Sequence, residues 1–191
     1  MTSTKKVVKS KTVYTAPNLK RLGAFVIDYI YLYLILAVVI SVSRQFFDLE
    51  NASTAVKIGY YLFLVIVSLA YHIAIPLYYY KEEHVGQTFG KKLMGIKIIR
   101  VNGTQVTLPV LAIRAVFELL GEGMIMVATL YVFEILALLG MPADFASYAT
   151  TAYIMVTLVS AVFMVIKPNR QMFHDYVANT VVILVNQNVK P

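Results

Sequence analysis

The chain contains no cysteine, which excludes disulfides, thiolate metal sites and cysteine nucleophiles. It is also poor in charge: charged residues make up 14 % of the 191 positions, against 59 % hydrophobic. A soluble domain is about a quarter charged and about half apolar, so the apolar surplus has to be buried, and lipid is the natural place for it. No Gly-x-x-x-x-Gly-Lys phosphate loop and no His-Glu-x-x-His zinc motif occurs, so neither a metal nor a cofactor is expected. The net charge of +7 would suggest nucleic acid in a soluble protein. Here the distribution of the charge points to a membrane, and no nucleic-acid partner is expected. The length fits one domain.

Four apolar segments carry the membrane reading. Leu22–Val42 contains one charge, Asp28; Ile58–Tyr80 contains His72 and Pro76; Ala115–Leu139 contains Glu118, Glu122 and Glu134; Phe145–Ile166 contains none. A bilayer core takes about 20 residues of helix. The third segment is the weakest, since each buried acid costs ~2.5–3.5 kcal/mol on an insertion scale, but its uninterrupted run Met124–Phe133 still suits a span. Gly140, Met141 and Pro142 predict a tight turn that makes the last two helices a hairpin. Pro76 predicts a kink in the second helix.

Basic residues are distributed asymmetrically. Lys5, Lys6, Lys9, Lys11, Lys20 and Arg21 precede the first helix; Lys81, Lys91, Lys92, Lys97, Arg100 and Arg114 lie between the second and third; Lys167, Arg170 and Lys190 follow the fourth. The other two loops hold only Arg44 and Lys57. The positive-inside rule makes the basic side cytoplasmic, with both termini on it. Residues 1–20 read as a Lys-, Ser- and Thr-rich tail, disordered by composition and attracted to anionic lipid headgroups.

Two short β-rich runs stand out against the helical background. Ile96–Val101 leads into Asn102-Gly103, a tight-turn pair, and Val181–Val185 lies near the C-terminus. Both are too short to span, and they are expected to pair on the cytoplasmic face.

Three stretches resemble the RDD family of bacterial membrane proteins, named for one arginine and two aspartates. They are Arg21-Leu22-Gly23-Ala24-Phe25-Val26-Ile27-Asp28; Gly86-Gln87-Thr88-Phe89-Gly90-Lys91-Lys92-Leu93-Met94-Gly95-Ile96 with Arg114 downstream; and Asn169-Arg170-Gln171-Met172-Phe173-His174-Asp175 followed by Thr180-Val181-Val182. The likeness covers roughly residues 17–185. It implies a small, multi-pass bacterial inner-membrane protein in which Arg21, Asp28 and Asp175 are the signature residues. Transport has been proposed for such proteins. Glu118, Glu122 and Glu134 lie outside the signature.

The polar residues within apolar segments are the candidate ion or proton site: Asp28, His72, Glu118, Glu122 and Glu134. Arg21 and Asp28 are seven residues apart and share a helix face, but a rise of 1.5 Å per residue puts them about 10 Å apart along the axis, too far to pair directly. Asp28 is read either as pairing with another helix and fixing packing, or as an ion or proton site, the default suspicion for an intramembrane acid. Arg114, Glu118 and Glu122 form one stripe, with Arg114–Glu118 spaced for an ion pair. Asp28, His72, Glu118 and Glu122 come to similar depth, where an imidazole among carboxylates suits a proton relay; the plainer role for His72 is a single hydrogen bond. Glu134 is rotated about 160° from Glu118 and need not share their cavity. Gly86–Lys92 is read as the entry to an interfacial helix, with Phe89, Leu93 and Met94 towards lipid and Lys91, Lys92 and Lys97 at the headgroups; an anion site is the rival reading. Asp175 is expected to cap a helix or pair with Arg21, Arg100 or Arg114.

The expectation is thus an all-α membrane protein of about four transmembrane helices with a small cytoplasmic β element. Residues 1–20 are a basic tail, 21–185 the RDD-like transmembrane domain and 186–191 a C-terminal tail. Two functions fit: a small cation/proton transporter, which with so few helices would act as a homo-oligomer or with a membrane partner, and a non-catalytic accessory or assembly subunit. No nucleophile or metal set suggests an enzyme.

Overall fold

A computed structural model describes residues 15–79, 84–120, 126–166 and 169–185. Its order is α1 (Asn18–Ser43), α2 (Thr54–Ala74) running into a π-helical turn (Ile75–Tyr79), α3 (Phe89–Leu93), β1 (Ile96–Arg100), α4 (Leu108–Leu120), α5 (Met126–Leu138), α6 (Ala143–Ile166), α7 (Phe173–Val177) and β2 (Thr180–Leu184). Among the described residues, three stretches are long and apolar enough to cross a membrane: Asn18–Ser43, Thr54–Tyr78 and Ser147–Ile166. At 1.5 Å per residue they measure about 30–39 Å, enough for a hydrocarbon core about 30 Å thick.

The expected third span, Ala115–Leu139, is described as two pieces. α4 is described to Leu120 and α5 from Met126; residues 121–125, including Glu122, lie outside the described residues. Arg114 and Glu118 are buried in protein at the base of the bundle, whereas α5 is apolar apart from Glu134 and lies along α2, with Tyr61 and Tyr131 stacked at 5.9 Å.

Local sequence sets the breaks. Pro76 has no N–H to give its helix, and α2 relaxes there into the π-turn that takes the place of a simple kink; the Pro76 carbonyl accepts from Gly86 N at 2.9 Å. Gly140, at φ +89°, ends α5: Met141 N donates to Leu136 O at 3.1 Å and Gly140 N to Ala137 O at 3.0 Å, the paired bonds of a Schellman cap. The predicted α5–α6 hairpin turns on that glycine.

Two cores result. Leu32 and Leu36 of α1, Leu64, Val65 and Tyr71 of α2, Ala115 and Leu119 of α4 and Ala128 of α5 form the upper one. The lower joins Ala24 of α1 to Ile96, Ile98, Val106, Leu111 and Val182, seating the sheet against the helix ends. The expected strand pairing is present: β1 and β2 are antiparallel, with Ile96 opposite Leu184 and Arg100 opposite Thr180. After the Asn102-Gly103 turn the chain makes a single bridge, Ile99 to Gln105, rather than a third strand. On the other side of β2, Thr15 bridges Ile183 and Ala16 N donates to Val182 O at 2.9 Å. The end of the expected basic tail therefore belongs to the sheet; residues 1–14 and 186–191 lie outside the described residues. α6 is the outlying helix, with only 6 % of its apolar window buried inside the protein.

Candidate functional site

Asp28 sits midway along the first turns of α1, 4 % exposed. A buried carboxylate is costly unless its oxygens are bonded, and these are. Oδ1 accepts from Tyr71 Oη at 2.5 Å and Gly90 N at 2.7 Å; Oδ2 accepts from Thr88 Oγ1 at 2.5 Å. Lys91 Nζ stands 3.7 Å from Oδ2. The glycine-rich stretch delivers three of these partners. Thr88 caps α3, and α3 approaches so closely that a Cβ on Gly90 would fall 2.3 Å from Ala24 O and 2.9 Å from Asp28 Cγ.

The expected orientation of α3 holds for one side and differs on the other. Phe89 stacks on Tyr31 at 4.7 Å, Met94 lies against Gly23, and Lys91 turns inward. Leu93 and Lys92 do face outward. The cause is Asp28: its demand for donors outweighs the preference of Lys91 for water and draws α3 onto α1.

Arg21 does not serve Asp28. Its Nη1 reaches Asp175 Oδ2 at 3.3 Å and its Nη2 lies 3.5 Å from Val182 O. Arg114 Nη1 bonds the other oxygen, Asp175 Oδ1, and also Thr180 Oγ1 at 3.2 Å. Arg114 Nε donates to Glu118 Oε1 at 3.0 Å and its Nη2 to His174 Nε2 at 2.8 Å. A guanidinium only donates, so His174 Nε2 accepts and the ring carries its proton on Nδ1. Asp175 also caps α7, accepting from Met172 N at 3.2 Å. Burial alone would raise the Asp175 carboxyl, but Arg114, His174 and Arg21 together outweigh it and hold the group below the usual carboxylate range.

His72 points its Nδ1 at Ser68 O, 3.0 Å away. A carbonyl only accepts, so Nδ1 is the donor and Nε2 the basic nitrogen. Asp28, His72, Glu118, Arg21, Arg114, Lys91, His174 and Asp175 together line one cavity of about 70 Å³, room for a few waters. Among the described residues of the lining, three cations (Arg21, Lys91, Arg114) face three anions (Asp28, Glu118, Asp175), charges that balance while both imidazoles are neutral.

A family model for the RDD family matches residues 15–179. The chain belongs to the RDD family. Comparison with curated proteins and with solved structures gives no match. In this RDD protein the three residues singled out by the resemblance divide into two sites: Arg21 and Asp175 bond each other, and Asp28 organises the glycine-rich segment. Glu134 belongs to neither. It is exposed on α5, beside Arg44, Asp48, Lys57 and Tyr61 at the far end of the helices, apart from the cavity that holds the other described candidates; its rotation and its distance along α5 both carry it away. Tyr71, Thr88, Lys91 and His174 are the members that sequence reading missed. Thr88 and Lys91 stood inside a recognised motif, but nothing local marked them as partners of a residue 60 or more positions away.

Proposed function

We propose that this RDD-family membrane protein is a small proton-linked cation transporter of the bacterial inner membrane rather than an enzyme. It has cytoplasmic termini, basic cytoplasmic segments held near anionic headgroups, and works as a homo-oligomer or with a membrane partner. The observation that carries the reading is the balanced cavity lined by Asp28, His72 and Glu118. Ionisable residues placed among apolar helices mark ion and proton pathways by default.

Balance gives the site an exchange logic. A proton on His72 Nε2 makes the lining net positive and opposes a cation; loss of that proton removes the opposition. At an effective dielectric near 20, two charges 4 Å apart interact by about 4 kcal/mol, enough to make proton and cation occupancy mutually exclusive. A cation would enter by taking oxygens of Asp28 or Glu118 from Lys91 or Arg114.

Purified protein in liposomes, assayed for cation-driven pH change, tests this. Wild type should move protons against a sodium or potassium gradient. His72→Gln should lose the pH dependence while melting normally, because His72 makes one backbone hydrogen bond. No flux with any cation tried would sink the reading.

One observation favours the accessory-subunit reading: every described carboxylate of the cavity already has a cation within 4 Å. On that reading the cluster is a latch for the cytoplasmic cap, and Asp28→Asn should lower the melting temperature with no flux to lose.

A further inference from the structure

A second concavity opens on the lipid-facing side of the same end of the bundle. It lies between α1, α2 and α3, is lined by Tyr31, Ile35, Tyr71, Ile75, Phe89 and Leu93, and has Lys92 at its margin. Its volume is about 610 Å³, within the range of sites that hold one drug-sized apolar molecule. Among the described residues, no carboxylate lines it. Tyr31 is 40 % and Leu93 61 % exposed, so the walls are apolar and open outward, along helices that cross the membrane. What surrounds such a groove is acyl chain, and what reaches Lys92 at its rim is a headgroup.

The geometry points to a bound anionic phospholipid here, one acyl chain along the aromatic and aliphatic walls and its phosphate at Lys92. The inference rests on the reading that the basic side faces the anionic cytoplasmic leaflet, and it adds a defined site to that general attraction. The two lysines of α3 divide the work. Lys91 turns in to Asp28, and Lys92 is exposed on the outer side, at the groove. Tyr71 belongs to both places: its ring lines the groove and its hydroxyl donates to Asp28. A lipid seated in the groove therefore packs on the side chain that holds the buried carboxylate.

The chain has no tryptophan, so one introduced indole reports its own surroundings. Ile35→Trp and, at the rim, Leu93→Trp place it in the groove; Leu158→Trp on exposed α6 sees bulk lipid. Each full-length variant is reconstituted in phosphatidylcholine vesicles containing equal mole fractions of either brominated phosphatidylglycerol or brominated phosphatidylcholine. Brominated phosphatidylglycerol should compete for the groove reporters about fivefold better, the effect of roughly one basic residue at a membrane surface, and show no advantage at position 158. Lys92→Gln should abolish the preference, and Lys97→Gln, on β1 away from the groove, should leave it. A preference that survives Lys92→Gln, or that falls equally with Lys97→Gln, overturns the site while leaving general headgroup attraction standing. Equal quenching by the two lipids at every position overturns both. Reporters in the groove that neither lipid quenches show it covered by protein, most simply a second copy, and also overturn the lipid site.

Discussion

Arg21 and Asp175 stand 154 positions apart in the chain and meet at 3.3 Å, both nearly buried. The contact ties the first turn of the first helix to the cap that follows the last one. Arg114 completes it from the opposite carboxylate oxygen, so one aspartate gathers α1, α4 and α7 under the bundle.

Arg114 is the residue whose loss should hurt most. Its three nitrogens serve four partners, Asp175, Thr180, Glu118 and His174. Arg114→Met takes the guanidinium from buried Glu118 and leaves Asp175 with Arg21 as its cation, and breaking a buried pair costs ~3–5 kcal/mol. Arg114→Lys keeps the charge without the fork and should recover part of the loss. Thermal unfolding in detergent checks both; a lysine variant as stable as wild type would show that charge alone suffices.

Gly90→Ala should separate α3 from α1. The added Cβ meets Ala24 O and the Asp28 carboxyl, neither of which can yield cheaply, and overpacking of this kind costs ~1–3 kcal/mol. Gly59→Ala is the control, because a Cβ there has nothing within 4 Å and alanine favours a helix by ~1 kcal/mol over glycine. Melting temperatures should move in opposite directions.

Acid should weaken the cap. The Asp175 carboxyl is held below its ordinary value by Arg114, His174 and Arg21 against the opposing effect of burial. A depressed native pKa stabilises the fold above the unfolded value, about 3.9 for aspartate, and the stabilisation is lost as pH falls below it. Melting temperature should be level in Asp175's contribution above about pH 5 and decline below about pH 4. Asp175→Asn should start lower and show a shallower acid decline. An unchanged decline in that variant would assign acid sensitivity elsewhere.

Topology can be read directly because the chain has no native cysteine. Lys9→Cys and Lys190→Cys should resist a membrane-impermeant thiol reagent in intact cells, and Asn51→Cys, in the exposed α1–α2 connection, should react. Labelling at position 9 or 190 with none at 51 would invert the orientation.

Hydropathy, charge asymmetry and β-branching determined the membrane class, the apolar stretches and the two-stranded sheet, because each depends on residues adjacent in the chain. The i, i+4 spacing likewise made Arg114–Glu118 legible. The assignment of partners was decided only by the tertiary structure. Asp28 shares a helix face with Arg21 yet bonds Tyr71, Thr88 and Gly90. Glu134 shares its expected span with Glu118 yet lies at the other end of the bundle, and Lys91 of α3 turns in to Asp28 while its neighbour Lys92 is exposed. A buried charge takes whichever donors packing brings within about 3 Å, and packing is settled jointly by all the helices that meet there, a sum that no single stretch of sequence contains.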